Sequence, residues 1–211
     1  MASMDKQTIF YLNNIKTITQ QYPERLIDVL NCFSTNQYKS KSWLVEELNR
    51  YEYHFKNKTQ DQIDIAVLGG WYGLLSNIIL ENFKLKPIRE IHSYDYDSFC
   101  KKLGQMFFPR IKFIEQNINE IDLSSKSYSI VINTACEHFE QSEIENIINK
   151  SNQNTLFVLQ SNNYVEIDEH INCVPDLMSF AMRYKDLLKN VKTYKLNMEK
   201  YTRFMIIGAK Q

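Results

Sequence analysis

Apolar positions along the chain follow two rhythms, and the change between them falls near residue 60. Before it they recur at helical spacing. Ile9, Leu12, Ile15 and Ile18 lie three apart and predict a helix over 5–22 with one apolar stripe. Pro23 is placed to open a second helix carrying Leu26, Ile27, Val29 and Leu30. A polar loop is expected over Ser34–Ser42, then a third helix over Trp43–Phe55 containing Trp43, Leu44, Leu48 and Tyr51. The polar stretch Lys56–Gln62 follows. These helices are expected to pack over one end of the domain that comes next.

In Ile63–Gly73 the run Ile65-Ala66-Val67-Leu68 has no polar alternation, the mark of a strand buried on both faces. Gly69, Gly70 and Gly73 follow at once, three of only five glycines in the chain, and Leu74, Leu75, Ile78 and Ile79 then recur at helical spacing. Strand, glycine turn and helix together present backbone N–H groups to a polar or anionic ligand. Further strands are expected at Glu90–Tyr94, Ile111–Ile114, Tyr128–Asn133, Thr155–Gln160, Val191–Met198 and Arg203–Gly208. Helices are expected at Ser98–Phe108, from a Ser142-x-x-Glu145 capping box through Ile148, and from Pro175 to about Leu188. This alternation predicts an α/β fold with a doubly wound, mostly parallel, seven-stranded sheet. Residues 1–60 would form a helical cap and residues 61–211 the ligand-binding domain, with the ligand beyond the carboxyl ends of the strands.

Composition narrows the function. The 25 basic and 25 acidic residues balance, so nothing favours non-specific binding to nucleic acid or to an anionic membrane. No apolar run approaches the roughly 20 residues that span a bilayer. The start MASMDKQ lacks a signal-peptide core, and its first three residues read as an addition ahead of Met4. The four cysteines contain no C-x-x-C pair, which argues against structural zinc and a disulfide framework and suits a cytoplasmic location.

With these residues in view, the chain from Ile63 onward resembles the class I S-adenosylmethionine-dependent methyltransferases. Gly69 and Gly73 match the outer two glycines of the family's first motif, and Trp71 stands where the middle one belongs. Either Gly70 takes over the close approach to the cofactor, or the indole of Trp71 forms part of the pocket; an ordinary turn with a core tryptophan is the plain alternative. Asp95 lies about 20 residues beyond the turn, where such pockets need an acceptor for ribose hydroxyls. The resemblance places Tyr96 beside the adenine and Asn117 and Ile118 at its edge, with Asn133 also on the cofactor; Asp97 suits a helix cap instead. As an alternative, Asn117 serves only its own turn.

The strand ending at Asn133 runs into Thr134-Ala135-Cys136-Glu137-His138, and many family members carry a similar Glu-His pair facing the methyl group. The long polar loop after the next strand holds His170. Glu137, His138 and His170 are therefore the expected catalytic residues, His being the side chain suited to proton transfer near neutrality. Trp43, Tyr72, Gln160, Asn162 and Asn172 are expected to contact the substrate. Some small-RNA methyltransferases hold a divalent ion with an E-x-x-E-H pattern and a distal His; Glu137, His138 and His170 match three of those ligands, but Thr134 replaces the first Glu, and no metal is expected. His54 and His92 have no evident partner in the sequence. The expected activity is methyl transfer to an oxygen or nitrogen of a small polar molecule, with nucleic acid disfavoured as a partner. The rivals are an RNA-modifying enzyme, a related transferase using another part of the cofactor, and a non-catalytic cofactor-binding protein.

Overall fold

Strand β1 (Ile63–Leu68) is buried along its whole length, as its uninterrupted apolar run predicts. Each fully buried aliphatic side chain of that kind contributes about 1.5–3 kcal/mol. The computed structural model describes residues 5–55 and 61–211. Residues 1–4, and with them the expected addition ahead of Met4, lie outside the described residues, as do residues 56–60 of the polar stretch before β1.

Parallel to β1 run β2 (Ile88–Asp95) on one side and β4 (Ile130–Asn133) on the other. With β3 (Lys112–Glu115), β5 (Leu156–Asn162), β6 (Leu188–Asn197) and β7 (Thr202–Lys210) they make a seven-stranded sheet ordered β3-β2-β1-β4-β5-β7-β6. Only β7 breaks the parallel pattern, pairing antiparallel with both β5 and β6. The chain order reverses between β1 and β4, the switch point at which sheets of this type open a crevice. The expected mostly parallel, doubly wound sheet is the one observed.

Residues alternate between the two faces. Ile65, Val67, Ile130, Ile132 and Val158 point into one apolar cluster, and Ala66, Leu68, Val131, Phe157 and Leu159 into the other. The first face is covered by α5 (Leu74–Asn82) and α6 (Ser98–Phe107) together with α1 (Lys6–Gln21), α2 (Leu26–Cys32), α3 (Thr35–Asn49) and the short α4 (Glu52–Phe55). The second carries α7 (Gln141–Lys150) and α8 (Leu177–Met182). The N-terminal helices thus lie on a face of the sheet rather than over one end, since their apolar side chains join the α5–α6 cluster.

Several local expectations are corrected. The Ser34–Ser42 segment is the first half of α3, not a loop, and Trp43 lies in the middle of that helix. On α1 the stripe is rotated: Ile9 and Leu12 are exposed, while Tyr11 and Ile15 pack inward with the buried Ile18 and Tyr11 stacks on Phe107. On α2, Ile27 and Leu30 face outward and Val29 inward. The α7 box is formed two residues earlier than Ser142-x-x-Glu145, by Glu140 and Glu143: the Glu143 side chain accepts the Glu140 N–H at 2.9 Å. After Pro175 the helix starts at Leu177, where the Asp176 side chain caps it by accepting the Ser179 N–H at 2.7 Å, and it stops at Met182 because Leu188 already enters β6.

Candidate active site

The turn after β1 is shaped by what surrounds it. The Gly70 N–H donates to the Tyr94 carbonyl at 2.9 Å, drawing the turn onto β2. A Cβ at Gly70 would stand 2.0 Å from the Ser93 hydroxyl oxygen, so any other residue requires the Ser93 side chain to move. Trp71, in place of the family's middle glycine, adopts the left-handed conformation that a glycine there would take freely, at φ 50°. For a residue with a Cβ this costs about 1–2 kcal/mol. Three hydrogen bonds fix the turn. The Trp71 N–H donates to Asp95 Oδ2 at 2.9 Å, its indole N–H reaches Asp28 Oδ2 at 3.3 Å, and the Tyr72 hydroxyl donates to the same Asp28 oxygen at 2.6 Å.

A cavity of about 910 Å³ opens above the carboxyl ends of the strands. Gly69, Gly70 and Trp71 line it, and the indole of Trp71 also packs against the core. Gly73 instead turns left-handed into α5, under the Phe113 ring. At the end of β2, Asp95 lines the cavity and is largely removed from water, which raises its pKa against the pull of its backbone donors. Its Oδ1 accepts the Asp97 N–H at 3.1 Å, so each carboxylate oxygen holds one backbone donor and keeps capacity for another. Tyr96 is 78% exposed on the cavity wall, and Asn117 and Ile118 close that end. Asn117 also serves its own turn, accepting the Asn119 N–H at 3.0 Å. Asp97 caps α6 through the Phe99 N–H, as its position suggests.

The opposite end is built from β4, β5, β7 and the loop 163–176. A single 3-10 turn, Cys136–His138, follows β4 and turns two adjacent side chains, Glu137 and His138, to the cavity. Glu137 is 2% exposed; its Oε1 accepts from Asn162 Nδ2 at 2.5 Å and from Arg203 Nη2 at 3.4 Å, and its Oε2 has no partner among the described residues. The His138 and His170 rings stand perpendicular with centroids 4.7 Å apart. His138 Nδ1 lies 3.2 Å from the Glu169 carbonyl and His170 Nδ1 2.6 Å from the Tyr164 carbonyl. Each carbonyl requires a donor, which assigns the proton to Nδ1 and leaves Nε2 as the free lone pair. Partial loss of water lowers the His138 pKa, Glu137 pulls it back up, and His170 lowers it further. A Glu137 oxygen and one nitrogen from each ring all lie within 4.8 Å of one another, so these three residues could hold a divalent ion after a modest contraction.

Other expected contacts fall elsewhere. Trp43 packs against the core, Tyr72 is fully buried beneath the turn, and neither lines the cavity. Gln160 is buried under the floor, accepting from the Ser40 hydroxyl at 3.3 Å. Asn133 is also buried off the cavity, its side-chain oxygen accepting the Ala135 N–H at 2.8 Å. Asn172 ties the long loop down: its N–H donates to the Glu137 carbonyl at 3.0 Å, and its side-chain oxygen accepts from Arg183 at 2.6 Å. Of the expected substrate residues only Asn162 reaches the cavity. His92 does have partners, Tyr128 and Glu90, and His54 packs between Tyr51 and Phe55. The cavity also takes Arg25, Asp28, Gln37 and Arg203, which sequence reasoning missed, and Lys41, from the 39–42 segment expected to cover the substrate. The Gln37–Lys41 spacing of four on one helix and a lone Arg at the head of the apolar run 204–207 were the available signals.

No protein-family model matches the chain, and no curated protein matches it in sequence. Solved structures do resemble it. Magnesium protoporphyrin IX methyltransferase (ChlM) from Synechocystis PCC 6803, with bound S-adenosylmethionine, superposes with a TM-score of 0.61 at 11% identity over all of both chains. The plantazolicin methyltransferase BpumL, in complex with a pentazolic desmethylPZN analog and S-adenosylhomocysteine, gives 0.63 at 10% identity over 98% of this chain and 99% of that one. The CurJ carbon methyltransferase gives 0.67 at 11% identity, over 92% of this chain and 60% of that one. With its strand order, its reversed seventh strand and its glycine turn after β1, the chain has the Rossmann-like fold of the class I S-adenosylmethionine-dependent methyltransferases.

Proposed function

We propose that the protein is an S-adenosylmethionine-dependent methyltransferase acting on an oxygen or nitrogen atom of a small polar molecule. The observation that carries this reading is one cavity with Asp95, Tyr96 and Asn117 at one end and Glu137, His138 and His170 at the other. When bound, S-adenosylmethionine supplies an electrophilic methyl group on a sulfonium centre. Asp95 would accept the ribose hydroxyls with the capacity its two backbone donors leave open. The exposed Tyr96 ring suits the face of the adenine, and Asn117 and Ile118 its edge. The N-terminal helices on the first face of the sheet bring Arg25, Asp28, Gln37 and Lys41 to the cavity wall. His138 Nε2 takes the acceptor's proton, and His170 orients it or the acceptor. Glu137 fixes the turn that carries His138.

Calorimetry with S-adenosylmethionine and S-adenosylhomocysteine, followed by a methyl-release assay on metabolite pools, tests the reading. An absence of binding heat for both ligands would sink it. Trp71→Ala is expected to weaken S-adenosylhomocysteine binding more than it lowers the melting temperature, because the indole lines the cavity. A large loss of melting temperature with unchanged affinity would assign Trp71 to the core alone.

The base must be neutral to accept a proton, and the protein holds His138 below the ordinary histidine value. Turnover is therefore expected to rise with pH, with the midpoint of the rise below about 6.5, the usual histidine value. A pH–rate profile rising only at alkaline pH would point to another base. A second reading, metal-assisted transfer that could extend to RNA, is favoured by the convergence of Glu137, His138 and His170. Under direct base catalysis a chelator leaves the rate unchanged; loss of activity on chelation, restored by a divalent ion, would replace that mechanism.

A further inference from the structure

Lys41 stands on α3 with 8% of its surface exposed and lines the same cavity. Among the described residues its ammonium has a hydrogen bond to the Gln37 side-chain oxygen, one turn earlier, and no carboxylate within ion-pair distance. A buried cation left in that state is costly, and proteins pair such groups with a counter-charge. Glu137, the nearby acid, is already engaged by Asn162 and Arg203. Arg203 is itself 7% exposed: one guanidinium N–H donates to the Thr134 carbonyl at 2.8 Å, another reaches Glu137, and its Nε has no partner among the described residues. This corner therefore holds two cations against one carboxylate. Burial lowers the Lys41 pKa to about 8, so the cation still predominates at neutral pH.

We propose that the methyl acceptor carries a carboxylate or phosphate group, which Lys41 and Arg203 bind at the β5–β7 end of the cavity. The assignment rests on the methyl-transfer reading. It favours the acceptor over the cofactor because the hydroxyl of Ser40, next to Lys41 on α3, reaches Gln160 on β5, and Arg203 stands on the adjacent β7, whereas Asp95, Tyr96 and Asn117 gather at the carboxyl ends of β2 and β3. Tyr164 and Tyr201, stacked with ring centroids 5.4 Å apart, line the same end and offer flat apolar surface to the rest of the acceptor.

The test is calorimetry on the full chain, unaltered and as Lys41→Met, with Lys41→Gln as the second variant should the first not fold. S-adenosylhomocysteine is titrated first, then inorganic phosphate and succinate onto the saturated protein. The expected result is that one of the two anions binds the unaltered protein, that the Lys41 variant binds it at least fivefold more weakly, and that S-adenosylhomocysteine affinity stays within twofold. The proposal is overturned if neither anion binds, if the variant binds anions equally well, or if the variant loses S-adenosylhomocysteine affinity, which would give Lys41 to the carboxylate of the cofactor's own amino-acid end. Failure of S-adenosylhomocysteine to bind the unaltered protein removes the methyl-transfer reading and this assignment to an acceptor with it; lysine-dependent anion binding to the free protein would then mark an anion site of another activity.

Discussion

His138→Ala is expected to lower turnover at least tenfold, and His170→Ala likewise, with S-adenosylhomocysteine affinity nearly unchanged. A positioned general base contributes about 10²–10⁴-fold, and the two rings divide that task. The proton on each Nδ1 is committed to a backbone carbonyl, of Glu169 for His138 and of Tyr164 for His170. Each ring therefore offers Nε2 as its free acceptor, and the perpendicular contact at 4.7 Å restricts how either can swing. Removing His138 deletes the acceptor of the proton; removing His170 loosens the ring beside it. Neither ring shares the β2–β3 end with Asp95, so binding of the adenosine part should not move. The measurement is single-turnover methyl transfer to whichever acceptor the metabolite assay yields, beside calorimetry. Full turnover in both single variants would make the histidines structural and leave catalysis to positioning alone.

Asp95→Ala is expected to weaken S-adenosylhomocysteine binding by about 1–3 kcal/mol, the usual effect of leaving polar partners without their acceptor. That is about 5- to 150-fold in Kd. Two groups of partners lose it together: the ribose hydroxyls and the N–H groups of Trp71 and Asp97 that already rest on the carboxylate. The second group belongs to the folded protein, so some loss of melting temperature is expected as well. Asp95→Asn separates the contributions, since its amide keeps one oxygen for a backbone donor but presents N–H₂ where the second oxygen accepted. An alanine variant that folds and binds with unchanged affinity would place Asp95 outside the pocket.

Much of this architecture is legible in the sequence because burial on both faces leaves a strong trace. The run 65–68 and the run 130–132 have no polar residue to confuse their reading, and both became central strands. The spacing from the glycine turn to Asp95 works for a similar reason, being set by one helix and one strand of ordinary length. The first half of α3 escaped because its buried positions are Ser40 and Lys41, which no hydrophobic rhythm can register. The same polarity that hid the helix puts Gln37 and Lys41 into the cavity, so a misread element and the missed Gln37 have one cause. The α1 stripe misled in the opposite way. Ile9 and Leu12 keep helical spacing but face outward, and Tyr11 takes the inward line by stacking on Phe107. In the loop 163–176, polar residues fit equally well a substrate contact or an internal tie, and Asn172 proved to be a tie.

Glu137 draws on four separate stretches of chain: its own 3-10 turn, Asn162 at the end of β5, Arg203 on β7, and the Asn172 N–H from the long loop. Groups that share one partner do not respond independently to substitution. Once Asn162 is replaced, the carboxylate can shift toward Arg203, and a later change at Arg203 meets a rearranged neighbour. Engineering of the acceptor end by combining individually tolerated changes at these positions will therefore meet epistasis. Variants there have to be chosen as sets, whereas Asp95 and Tyr96, at the other end, can be varied separately from them.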